Sequence, residues 1–231
     1  MTIDPLVLMT DVEAATGALL GAAASLTDAE IGAPSLLPGW TVGHVLSHLA
    51  RNADALTNLL TWARTGVETP AYASREAREA GIEAGAARPV IEQLADLRRA
   101  HDRFADAAAA MPAPAWAVAL PMARSAAAVP WLRLCEVEMH RVDLGRGYTP
   151  ADWPEPFAIR LLRAAAVEPP AGSPSMVVRA DEFGHPLTFG AGGPVVSGPA
   201  RSLAGWLTGR GDGSDLTVSP DGELPEPARW K

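Results

Sequence analysis

Apolar residues recur at three- and four-residue spacing over most of this chain, interrupted by glycine and proline. That pattern limits the fold more than any other feature. Such spacing lays one buried stripe along an α-helix, and glycine or proline marks where a helix cannot continue. Asp4-Pro5 opens a first helix through Leu6, Leu8, Val12, Leu19 and Leu20. Breaks at Gly32-Ala33-Pro34 and Pro38-Gly39-Trp40 precede Thr41, which caps a second helix. Its stripe is Val45, Leu46, Leu49, Ala53, Leu56, Leu59 and Leu60, and it stops near Gly66. Pro89 opens a third, through Ile91, Leu94, Leu97, Ala100 and Phe104, ended by Met111-Pro112. Pro130 opens a fourth, through Leu132, Leu134, Val137, His140 and Leu144, stopped at Gly145. Residues 74–87 read as a short helix on a long connection. Four long helices predict a bundle.

The pattern changes after Pro169. Glu168-Pro169-Pro170-Ala171-Gly172 has linker composition. Met176-Val177-Val178, Leu187-Thr188-Phe189 and Val195-Val196 read as short strands, and Ala200 to Leu207 as a helix. Gly190-Ala191-Gly192-Gly193 reads as a turn, because it opens no strong helix. The expected class is therefore α+β: a helical bundle over 1–168 and a smaller α+β domain over 169–231.

Charge and cysteine content narrow the partners. Lys+Arg number 19 and Asp+Glu 27, a formal charge of −8 with no basic stripe, which argues against a nucleic-acid partner. A lone cysteine, Cys135, cannot form an intramolecular disulfide, so nothing calls for an oxidising compartment. The N-terminal residues lack a basic run before an apolar stretch, against a signal peptide. No apolar run reaches the roughly 18–20 residues that span a bilayer. A cytoplasmic protein without a membrane partner is expected.

Two histidine pairings could carry chemistry. Glu136 and His140 are four apart on one helix and so share a face; His44 and His48 do the same on another. Glu-x-x-x-His from one helix and a histidine from a second would supply three zinc ligands inside a bundle, leaving a position open as catalytic sites do. The same spacing also arises on ordinary polar helix faces, where His140 would make one hydrogen bond and Glu136 would be solvated. Glu138 should face solvent, Cys135 should be a small buried apolar group, and His101 and His185 belong to surface or loop. No nucleophile elbow, phosphate loop or dinucleotide fingerprint is present.

These residues resemble a known family. Leu37-Pro38-Gly39-Trp40-Thr41 with Ser47-His48-Leu49-Ala50-Arg51-Asn52, and Arg133 through Leu144, are similar to the metal-binding halves of the DinB-like mycothiol-dependent enzymes. Thr65-Gly66-Val67-Glu68-Thr69-Pro70, Tyr72, Ser74 and Glu76-Ala77-Arg78 resemble the mycothiol-dependent maleylpyruvate isomerases in particular. So do Gly209-Arg210-Gly211 and the ending from Gly222 to Trp230. The resemblance implies a DinB-like four-helix bundle followed by a sterol-carrier-like α+β domain that completes the active site. It implies a divalent metal, zinc by preference, on His48, Glu136 and His140, with mycothiol as the thiol cofactor and a small-molecule substrate. His44 matches no family ligand. Arg210 falls on the family's catalytic arginine, and Arg78 on a recurrent arginine expected to bind substrate. Asn52 and Asp143 are candidate partners for the ligating histidines. The implied reaction is cis-trans isomerisation of 3-maleylpyruvate to 3-fumarylpyruvate in gentisate degradation; a mycothiol S-transferase is the alternative.

Overall fold

The computed structural model describes residues 4–121 and 123–228. Arg229 and Trp230, the end of the C-terminal motif, lie outside the described residues. The chain divides into two compact units, one up to Gly145 and one from Arg146.

The first unit contains α1 (Pro5–Ala23), α2 (Asp28–Ile31), α3 (Val42–Thr65), α4 (Arg75–Ala86), α5 (Val90–Ala109) and α6 (Val129–Asp143). The four long helices are α1, α3, α5 and α6, as the spacing predicts. The Asp4 side chain accepts from the Leu6 N–H at 2.9 Å, and Thr41 caps α3 by accepting from the His44 N–H. Gly66, with φ of 72°, ends α3 in the left-handed region that favours glycine. The stripe of α3 is fully enclosed, with Val45, Leu49, Ala53 and Leu60 at 0% exposure, against α5, α4 and α6. Leu97, Ala100 and Phe104 of α5 complete that core.

The polar stretch over 74–87 folds into α4, capped by Ser74, which accepts from the Ala77 N–H at 3.1 Å. It lies directly on α3 because two glycines leave room. A side chain at Gly43 would collide with the Ala86 carbonyl, and one at Gly85 with Ser47. The Ser47 hydroxyl donates to the Ile82 carbonyl at 2.8 Å across that contact.

Two expectations differ in this unit. By length and composition α1 could cross a membrane, with a mean hydropathy of 1.4, although no such run was expected. Its alanines raise the hydropathy, while Leu8, Met9, Val12, Ala15, Leu19 and Ala23 are buried and the helix packs on α5 and α6. Glu138, expected in solvent, is 3% exposed, because α6 is packed on one side by α1 and on the other by α3. Cys135 is buried, as expected.

The second unit starts earlier than the linker composition suggests. A further helix, α7 (Glu155–Val167), was placed in the bundle by the 168/169 boundary, but it packs on α8 (Ala200–Leu207) and on the sheet. Phe157, Ala158, Leu161, Leu162 and Ala165 form its buried face, so the apolar stripe rather than the Pro169-Pro170 pair decides which unit owns it. The four strands are β1 (Met176–Ala180), β2 (Leu187–Phe189), β3 (Val195–Gly198) and β4 (Thr217–Ser219), in the order β2-β1-β3-β4. The β1 and β3 strands are parallel, and both outer pairings are antiparallel. The tail thus supplies a strand that its Gly/Pro-rich composition concealed. Gly190 to Gly193 is the expected turn. Glu182 caps α8 through both oxygens on the Ala200 N–H, at 2.8 and 3.0 Å.

Candidate metal centre

The first unit brings His48 of α3 together with Glu136 and His140 of α6. His48 Nε2 lies 2.9 Å from Glu136 Oε2 and 3.1 Å from His140 Nε2, and the third edge, His140 Nε2 to Glu136 Oε2, is 3.2 Å. Ligands on one tetrahedral zinc at 2.0–2.1 Å stand about 3.3–3.4 Å apart. The three atoms therefore need to separate by only a few tenths of an ångström to hold such an ion. Two imidazoles and a carboxylate form a donor set suited to zinc. The His48 and His140 side chains are 5% and 15% exposed, but Glu136 is 31% exposed, so the cluster opens to solvent on the Glu136 side.

Neighbouring groups set the protonation of each member. His140 Nδ1 donates to Asp143 Oδ2 at 2.7 Å, which directs Nε2 into the cluster. Burial would lower the His140 pKa, but the Asp143 and Glu136 carboxylates outweigh it and raise the pKa above the ordinary value. Burial would raise the Glu136 pKa, yet hydrogen bonds from His140 and His48 hold it far below the usual carboxylate range. Burial lowers the His48 pKa, assisted by His140 and Arg78 and opposed by Glu136. A half-buried carboxylate beside one imidazole of lowered and one of raised proton affinity can exchange a proton for a cation.

His44 is directed elsewhere. Its Nδ1 accepts from the Thr41 N–H at 3.2 Å as part of the cap of α3, and its Nε2 meets Glu83 at 3.1 Å. The Asn52 side chain accepts from Arg133 at 2.9 Å rather than bonding to the His48 ring. Arg78 does reach the cluster, with Nη2 3.4 Å from His48 Nδ1 and its guanidinium 5.8 Å from the Tyr72 ring centroid. Asn58 Nδ2 donates to the carbonyls of Pro70 and Ala71 at 3.3 Å, anchoring the loop that carries Tyr72. Trp40 stands edge-on to His48 at 5.5 Å between centroids.

Sequence reasoning passed over Trp40, Tyr72 and Arg133 as site residues. For Arg133 a signal existed: with Glu136 and His140 it falls at i, i+3 and i+7, on one face of α6. In the second unit, Arg210 follows α8 in a half-buried turn; Gly209 has a φ of 71°, and Arg210 Nη1 donates to the Thr208 carbonyl at 3.1 Å. His101 is partly enclosed on α5, where a surface or loop site was expected, and His185 is exposed in the turn before β2.

Residues 12–145 match the mycothiol maleylpyruvate isomerase N-terminal domain, and residues 152–229 match the MDMPI C-terminal domain. Both matches divide the chain where the compact units do. The fold is similar to the crystal structure of a mycothiol-dependent maleylpyruvate isomerase, with a TM-score of 0.88 and 32% identity over 99% of this chain and 98% of that one. A histidine-to-alanine mutant of a mycothiol-dependent maleylpyruvate isomerase gives a TM-score of 0.87 and 31% identity over the same shares. No curated protein matches the chain. With two domain matches spanning nearly all of its length and a fold shared at that identity, this chain belongs to the mycothiol maleylpyruvate isomerase family.

Proposed function

We propose that the protein is a mycothiol-dependent, zinc-dependent cis-trans isomerase that converts 3-maleylpyruvate to 3-fumarylpyruvate in cytoplasmic gentisate degradation. The observation that carries the reading is the convergence of His48, Glu136 and His140 on one point within a chain of this family. Rotation about a cis double bond requires that it become single for a time. Mycothiol, when bound, supplies the sulfur nucleophile whose reversible addition achieves this. A free thiol with a pKa of about 8.5 is only about 3% thiolate at pH 7; His48, Glu136 and His140 would hold a zinc ion, whose charge would favour the thiolate.

The protein's own groups handle binding and charge. The chain carries −8, an unfavourable field for a dicarboxylate, so local cations must attract the substrate. Arg78 is the cation beside the cluster, and it binds a substrate carboxylate. Tyr72 beside Arg78 and Trp40 beside His48 limit water access. Arg210 stabilises the negative charge that develops on the conjugated carbonyl, a planar five-donor group being suited to an enolate or carboxylate.

The test is an assay on maleylpyruvate with metal-loaded protein, with and without mycothiol, following product geometry and free thiol together. Isomerisation with thiol regenerated is expected. Stoichiometric thiol consumption would make the protein an S-transferase, and turnover without thiol would refute the reading. Arg210→Lys should keep fold and metal while losing on the order of 100-fold in rate; a wild-type rate would remove Arg210 from the chemistry.

A further inference from the structure

Arg133 is the one fully buried arginine among the described residues, at 0% exposure, and the mechanism above leaves it unused. Its Nη1 donates to the Leu49 carbonyl at 2.8 Å and to Asn52 Oδ1 at 2.9 Å, both on α3. Its Nε and Nη2 are enclosed and have no hydrogen-bond partner among the described residues, and the Glu136 and Asp54 carboxylates favour its charge only through space. Burying a guanidinium without a carboxylate partner opposes folding, and an apolar side chain of similar size is often as stable or more so. Arg133 is thus poorly explained as a stabiliser of the core.

Its position points to another role. Asn52 lies one turn after His48 on α3, and Arg133 lies one turn before Glu136 on α6. The two helices therefore run antiparallel, and the contacts between them form two successive rungs. The upper rung is His48 with Glu136 and His140; the lower is Asn52 and Leu49 with Arg133. One turn of helix, about 5.4 Å, separates the rungs. A single nitrogen, Nη1, bridges a backbone carbonyl and a side-chain oxygen at once, so it ties α3 to α6 at two points directly beneath the ligands.

We propose that Arg133 is a positioning residue for the metal centre, clamping α3 to α6 through Asn52 and the Leu49 carbonyl so that His48, Glu136 and His140 converge. The inference rests on the reading of that triad as a metal site. A positioning role and a bare charge effect predict opposite signs. Removing a nearby positive charge should tighten the binding of a cation, whereas loosening the clamp should weaken it.

Zinc affinity of the full chain is measured by chelator competition for the wild type, Arg133→Met, Arg133→Lys and Asn52→Ala. Denaturant stability of the metal-free proteins and the visible spectra of their cobalt forms are recorded alongside. Arg133→Met is expected to fold with stability near or above wild type, to bind zinc 10–100-fold more weakly and to show an altered cobalt spectrum. Lysine also presents several N–H donors on one nitrogen, on a stem without the rigid guanidinium plane, and should restore part of the affinity. Asn52→Ala keeps the charge and breaks half of the clamp, and should weaken zinc binding in the same direction but less. Unchanged or tighter zinc binding in Arg133→Met would overturn the proposal. So would an affinity loss that merely follows a loss of stability, or full affinity in Asn52→Ala. A wild-type protein without a zinc site would instead refute the triad itself, before any substitution is compared.

Discussion

Replacing Asp143 by asparagine tests how the fold tunes its metal ligands. The Asp143 carboxylate is buried, and accepts from His140 Nδ1 at 2.7 Å, a short charge-assisted contact. Asparagine has nearly the same shape and keeps an acceptor oxygen, so His140 stays oriented and only the charge is lost. Losing such a partner weakens metal binding about 10–100-fold, or about 1.4–2.7 kcal/mol. The size of the loss depends on pH, with a definite sign. Above the raised His140 pKa both proteins present a neutral imidazole, and the full loss is observed. As the pH falls, wild-type His140 protonates first, and zinc must displace that proton, so wild-type affinity drops by about tenfold per pH unit. In Asp143→Asn the pKa is no longer held up by the carboxylate, so the decline begins at lower pH and the two curves approach one another. Chelator competition at pH 6, 7, 8 and 9 reads this directly. Equal affinities over the whole range, or a gap that widens on acidification, would refute the argument.

Two further predictions concern the frame around the site. Gly85→Ala should force α4 away from Ser47 and cost about 1–3 kcal/mol by overpacking, while zinc stoichiometry holds because the ligands lie on α3 and α6; thermal melting with metal analysis checks both. Thr41→Ala removes the side-chain cap of α3 and should lower stability by about 1 kcal/mol in urea unfolding, with zinc stoichiometry again retained.

Local periodicity made much of this legible. A helix repeats every 3.6 residues, so Glu136 and His140 share a face in any fold that keeps α6 helical. Thr41 caps through its own side chain, Gly66 and Pro130 act through their own backbone geometry, and the bundle's four long helices follow from them and from the apolar stripes. The resemblance of the motifs to the isomerase family singled out His48. Spacing by itself left His44 and His48 equivalent. Only packing separates them: His44 faces its own cap and Glu83, and His48 faces α6. Packing likewise assigned α7 to the second unit, buried Glu138 and brought Arg78 of α4 to His48 through the close approach at Gly43 and Gly85. It also placed Arg133 one rung below the ligands. Intervals along one helix are set by bonded geometry that every residue carries with it. Distances between helices arise from the fit of many side chains at once, so they exist only in the tertiary structure.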